Sequence, residues 1–188
     1  MTRLIWKFLN APLLILVILF AVSIQTTIFF PPYLIYLKPD VILIAVVWFA
    51  LKREFLEGGV LTLICAEIAE IHSSGIQGVF FATYMAVFLT VKGFSNYFVF
   101  PKLKNAVVMV LFISVFWKAL ALAFTSSFVD FYRQWRQTLE FLLPGAIVEG
   151  ALAYWGFQFM EKFDWKTYKN PQALRALEDE LHLEEEGF

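Results

Sequence analysis

Between Pro12 and Met160 the chain is a succession of apolar runs broken only by prolines, glycines and short polar or charged turns, and that succession constrains the fold class. A membrane-crossing helix needs roughly 17 to 25 predominantly apolar residues at about 1.5 Å each. Pro12 to Phe30 meets that length and is stopped by Pro31-Pro32; Ala106 to Phe128 and Leu139 to Met160 meet it as well. Asp40 to Leu51, Phe55 to Ile71 and Gly78 to Val91 are shorter. A re-entrant hairpin built from the first two of these would hold Lys52, Arg53 and Glu54 at mid-bilayer, a costly position for charge, so the tip is expected to reach water. Both runs therefore read as true but short spans, lengthened by the interfacial Tyr33-Leu34-Ile35-Tyr36-Leu37 stretch and by local thinning of the bilayer. The expectation is an all-α polytopic membrane protein whose six transmembrane helices, joined by short loops, occupy residues 1–160.

Composition agrees with this. Hydrophobic residues make up 60% of the chain and charged residues 16%, with a mean hydropathy of +0.70, where a soluble domain carries about 25% charged residues. The 15 basic and 16 acidic residues nearly cancel, so no global field invites nucleic acid. Cys65 is the single cysteine, which excludes an internal disulfide and leaves too few soft ligands for a zinc or iron–sulfur site. No cofactor is expected. Arg3 and Lys7 give the N-terminus the flank of a signal peptide, but no small-x-small cleavage site ends the run that follows, so it is expected to remain as a first helix.

Charge distribution sets the orientation. With six spans, Arg3, Lys7, Lys52, Arg53, Lys92, Lys102, Lys104, Lys162, Lys166, Lys169 and Arg175 fall on one side, against Lys38, Arg133 and Arg136 on the other. The positive-inside bias then places both termini in the cytoplasm. Residues 161–188 read as a separate cytoplasmic segment. Lys162, Lys166 and Lys169 interleave with Phe163, Trp165 and Tyr168 as a juxtamembrane anchor for anionic lipid. An amphipathic tail carrying Leu174, Leu177 and Leu181 ends in acids, as a solvated tail or a docking one.

Ionisable residues inside the spans carry the functional signal. Glu67 and Glu70 are three apart on span three, Lys118 sits in span five and Glu149 in span six. Such groups face a bundle interior, a partner or a watery cavity. Lys118 is expected to pair with Glu67 or Glu149, and three readings follow: a structural clamp, a pocket for a partner or ligand, or a proton relay. Small residues recur at helical spacing on span three (Gly59, Thr62, Ala66, Ala69) and span six (Gly145, Ala146, Gly150, Ala153), as closely packed helices require. In the turn from His72 to Gly78, Ser73 or Ser74 can cap the next helix, while Gly75 and Gly78 read as turn and packing residues. His72 has no second histidine near it in sequence and reads as a hydrogen-bonded interfacial side chain, not a metal ligand. No nucleophile elbow, His-x-x-x-His pair or glycine-rich phosphate loop is present, and no enzymatic activity is expected.

The block from Lys38 to Gly78 resembles the rod shape-determining MreD family. That family shows a Pro-Asp pair opening its second helix, a short basic turn, a glycine opening the third helix, and an acid shortly before a Ser-Gly-Gly-Pro-Leu-Gly-like turn. Here Pro39 and Asp40 match the pair, Gly59 the glycine, Glu70 the acid, and Ser73, Gly75 and Gly78 the turn. Glu70 stands where Asp is more usual, Ile76 replaces the turn proline, and Glu67 and Lys118 lie outside the pattern. The resemblance implies a non-enzymatic scaffold of the bacterial inner membrane that binds MreC. Through MreC it would act on RodA, a class B penicillin-binding protein and MreB filaments, and so on peptidoglycan synthesis and cell shape. Pro39, Asp40, Glu70 and the Ser73 to Gly78 turn would cluster where the partner enters. The alternative expectation is the substrate-binding component of an energy-coupling-factor vitamin transporter, with Glu67, Glu70 and Lys118 lining a small-molecule pocket. A proton-coupled carrier would need inverted repeats, and no convincing internal repeat is visible.

Overall fold

The computed structural model describes residues 2–29, 37–73, 76–97, 103–125 and 131–167. Among them are six helices and no strand: α1 (Thr2–Ile28), α2 (Val41–Lys52), α3 (Phe55–Ile71), α4 (Val79–Tyr97), α5 (Leu103–Thr125) and α6 (Phe131–Lys166). Each apolar run becomes one helix. The boundaries of α2 and α3 follow the runs to within a residue, because Asp40 caps one and the Arg53-Glu54 turn separates them.

Helix α6 departs from the sequence reading. It has 36 residues, about 54 Å at 1.5 Å per residue, and includes Pro144, which removes one backbone hydrogen bond without ending the helix. It passes unbroken through residues 160–161, where the membrane domain was expected to stop, because Asp164 and Thr167 are drawn onto the bundle by the polar contacts described below. The tail from residue 168 onward, with its leucines and acids, lies outside the described residues.

The bundle is organised around α2. Every residue from Ile42 to Ala50 is buried, and all five other helices touch α2. It has 12 residues, hence about 18 Å of length. Trp48 packs on Phe157 of α6 with ring centroids 5.5 Å apart, and α3 lays Leu61, Thr62, Cys65, Ala66 and Ala69 inward. Outward faces are apolar as well: Phe20, Leu56, Ile71, Phe112, Ile147 and Trp155 are all more than 60% exposed. Two segments, Phe8–Ile28 and Val107–Thr125, are long and apolar enough to cross a membrane, and only 17% of each is buried.

Two glycines set how closely helices approach. A Cβ on Gly58 would lie 2.9 Å from the Phe88 ring and 3.1 Å from the Phe49 carbonyl, and one on Gly150 would lie 2.5 Å from Leu111 Cδ2. Gly59, expected as the packing glycine of α3, would meet nothing closer than 3.7 Å; the steric demand falls one residue earlier. Gly58→Ala is therefore expected to cost about 1 to 3 kcal/mol, as overpacking does. Gly59→Ala should be tolerated, and Gly93→Ala, where a Cβ meets nothing within 4 Å, should gain up to about 1 kcal/mol of helix propensity. Thermal unfolding of the detergent-solubilised variants measures all three, and equal stability of the two alanine variants at 58 and 59 would overturn the assignment.

Candidate functional site: a polar cavity at one end of the bundle

Helix α2 begins with Asp40, whose Oδ1 accepts the Leu43 amide at 2.9 Å, an N-cap that satisfies one of the free N–H groups of the first turn. Its other oxygen, Oδ2, accepts from the Tyr84 hydroxyl at 2.5 Å, which ties α2 to α4. The Val41 amide donates to Gln25 Oε1 of α1 at 3.3 Å. Three helices thus meet at this cap, and a cavity of about 450 Å³ opens beside it. All six helices or their caps contribute to its wall, among them Gln25, Pro39, Asp40, Tyr84, Lys118 and Glu149.

Lys118 and Glu149 form the ion pair of the cavity. Lys118 Nζ lies 3.0 and 3.2 Å from the two Glu149 oxygens and donates to Ser114 Oγ at 2.8 Å. The side chains are 11% and 2% exposed. Room for the ammonium comes from Gly145, where a Cβ would stand 3.2 Å from Nζ. Three acceptors match the three hydrogens of the ammonium, so this charge is internally satisfied. Alongside run three aromatic rings in contact: Tyr84 and Trp117 at 5.7 Å between centroids, Phe80 and Tyr84 at 6.2 Å, Phe80 and Trp117 at 6.3 Å. The Trp117 indole N–H is buried and makes no hydrogen bond.

The structure distributes the remaining site residues unevenly. Pro39 and Ser73 line the cavity. Glu70 does not join the Lys118 pair; it reaches over the turn, where Gly78 N donates to its Oε1 at 2.6 Å and Phe81 N to its Oε2 at 3.3 Å. An acid before this turn is thus a cap for the N-terminus of α4, where negative charge is favoured. Gly78 takes φ +87°, a left-handed conformation that suits glycine. Glu67 is exposed, and no ion pair joins it to Lys118 among the described residues. His72 Nδ1 is hydrogen-bonded to the Ile68 carbonyl at 2.8 Å. Gly75 and Ser74 lie outside the described residues.

A second polar cluster closes the opposite end of α2. Arg53, expected in a solvated turn, is only 5% exposed. It donates to Asp164 at 2.6 Å and to Asn10 at 2.9 Å, while Asn10 Nδ2 donates to Asp164 at 3.0 Å and to Thr167 Oγ1 at 2.6 Å. The Arg53 carbonyl accepts from Lys92 at 2.5 Å. Sequence reasoning missed Asn10, Arg53, Asp164 and Thr167 here, and Gln25, Tyr84, Ser114 and Trp117 at the cavity. Asn10 and Tyr84 were findable as polar groups within apolar helices; Arg53 and Asp164 were masked by charged neighbours.

No family model, curated protein or solved structure matches the chain. The geometry therefore stands alone. Replacing Lys118 by Met leaves Glu149 buried without its cation and is expected to cost about 3 to 5 kcal/mol, as is the reverse loss, whereas the double replacement by Met should recover most of that. Unfolding of the two single variants and the double variant in mixed micelles checks it, and additive losses would sink the pairing.

Proposed function

We propose that this chain is a six-span scaffold of a bacterial inner membrane, of the MreD kind, which holds the transmembrane helix of a single-span partner resembling MreC. The observation that carries this reading is the outward face of α3. Leu56, Val60, Ile64, Glu67 and Ile71 recur at helical spacing and are all exposed. In lipid, a carboxylate on such a stripe needs an opposing polar group from another chain. A partner helix laid along α3 would meet Glu67, and its next residues would arrive at His72 and Ser73, on the rim of the polar cavity. Pro39, Asp40 and Ser73, which carry the resemblance, line that same cavity.

Six spans would leave α2 shielded from lipid by its neighbours, so its short length needs no bilayer thinning. Both termini and the Arg53 cluster would lie on the cytoplasmic side, the cavity on the outer side. The scaffold would need no catalytic residue and no cofactor, and would act on RodA, a class B penicillin-binding protein and MreB only through its partner.

A second reading has one observation in its favour. A cavity of about 450 Å³ falls in the roughly 300 to 1,000 Å³ range of small-molecule sites, which suits the substrate-binding component of an energy-coupling-factor transporter. Mass spectrometry of what co-purifies with the N-terminally tagged chain, gently extracted from native membranes, separates the two. Recovery of a single-span protein with a periplasmic domain is expected, and Glu67→Lys should reduce that recovery several-fold without lowering the scaffold's own unfolding temperature. Recovery of two ATPases and a transmembrane coupling subunit would overturn the scaffold reading. Glu70→Lys is a poorer test because it removes the cap of α4.

A further inference from the structure

The cavity holds two acids and one buried lysine, and their pairing is unequal. Glu149 takes Lys118 with both oxygens. Asp40 receives only the Leu43 amide and the Tyr84 hydroxyl, and no cation lies within ion-pair distance of it among the described residues. Lys38, the other basic residue of the wall, is exposed. The Asp40 carboxylate keeps unused lone pairs beside an aromatic wall of Phe80, Tyr84 and Trp117, and all three rings border the same cavity. A carboxylate against aromatic faces is the chemistry that recognises an ammonium or guanidinium group, because ring quadrupoles attract cations most strongly where water is excluded.

We infer that the cavity beside Asp40 is a binding site for an organic cation. Asp40 supplies the counter-charge, and the Phe80, Tyr84 and Trp117 rings the apolar wall. Lys118 does not repel the guest because its charge is held by Glu149 and Ser114. His72, also on the wall, is exposed and keeps Nδ1 on the Ile68 carbonyl. Two sources offer this chemistry: a free amine such as choline, or a lysine or arginine side chain. The assignment rests on the cavity and not on the scaffold reading.

The test titrates the purified full chain in dodecyl maltoside with choline, with N-acetyl-lysine methylamide and with N-acetyl-arginine methylamide, following the indole N–H resonance of Trp117, assigned through Trp117→Phe. The neutral choline isostere 3,3-dimethyl-1-butanol is the control. Saturable shifts with a cation, absent with the isostere and weakened about tenfold or more in Asp40→Asn, support the site. Tyr84→Phe, which keeps the ring and releases Asp40, should retain binding, and Tyr84→Leu should lose it. Tightest binding by choline points to a free amine, and tightest binding by the amino-acid derivatives to a side chain. Equal shifts from the isostere, no saturable shift from any cation, or undiminished binding in Asp40→Asn by a variant of normal unfolding temperature would each overturn the inference. None of these outcomes depends on which proteins co-purify, so failure here leaves the scaffold reading standing, and the reverse also holds.

Discussion

The burial of α2 on every side is the constraint from which the rest of the bundle follows. A helix leaves several N–H groups free at its start and several carbonyls free at its end. A helix enclosed by others cannot leave these groups to bulk water, so side chains from its neighbours must meet them. Gln25 and the Asp40 cap take amides at one end; Lys92 takes the Arg53 carbonyl at the other. Each of these contacts fixes a neighbouring helix in register. The polar residues of α1 and α4 are where they are because α2 is short and central.

The two ends solve the same problem with different outcomes. At the Arg53 end, arginine, aspartate, asparagine and threonine close on one another, and the guanidinium is 3% exposed. At the Asp40 end, one ion pair is closed while the aspartate lines open volume. Burying an ion pair seldom gains stability over an apolar pair of equal volume, while breaking one is costly. Lys118 and Glu149 are therefore better understood as holding the cavity polar and open than as strengthening the fold.

Much of this was legible in the sequence, and the reasons are physical. Helix number and the ends of α2 and α3 follow from apolar runs and from Pro39, Asp40 and the Arg53-Glu54 turn, because span length and capping act locally. The length of α6 was not legible: the signal at Met160 is a change from apolar to charged composition, but a helix does not end where lipophilicity ends. It continues because Asp164, four turns beyond the Gly150 contact, has Arg53 and Asn10 to bind. That pairing joins residues more than a hundred positions apart, and no local pattern encodes it. The charge at Arg53 was visible, but its burial was not, since Lys52 and Glu54 beside it are exposed. Glu70 shows the converse: an acid that attracts a functional reading by its depth proves to cap α4, because a carboxylate can satisfy amides across a turn as readily as it can meet a ligand.

Division of labour between the faces follows from these assignments. One end of the bundle is locked by a hydrogen-bonded cluster that links α1, α6 and the α2–α3 turn, so relative motion of those helices there would break several charge-assisted bonds together. At the other end, among the described residues, single side-chain hydrogen bonds join α2 to α4 and to α1, Asp40 with Tyr84 and Val41 with Gln25. An event at the cavity that draws Asp40 away from Tyr84 needs to break only one side-chain bond between α2 and α4. Structural change is cheapest where fewest bonds are shared between elements. A guest in the cavity would thus act first on the packing of α4 against α2, and through the Glu70 cap of α4 on the end of α3 that carries the exposed Glu67 stripe. That chain of contacts, from Asp40 to Tyr84, along α4 to Phe81 and Gly78, and back to Glu70, is the physical route by which occupancy of the cavity and the outward face of α3 would sense one another.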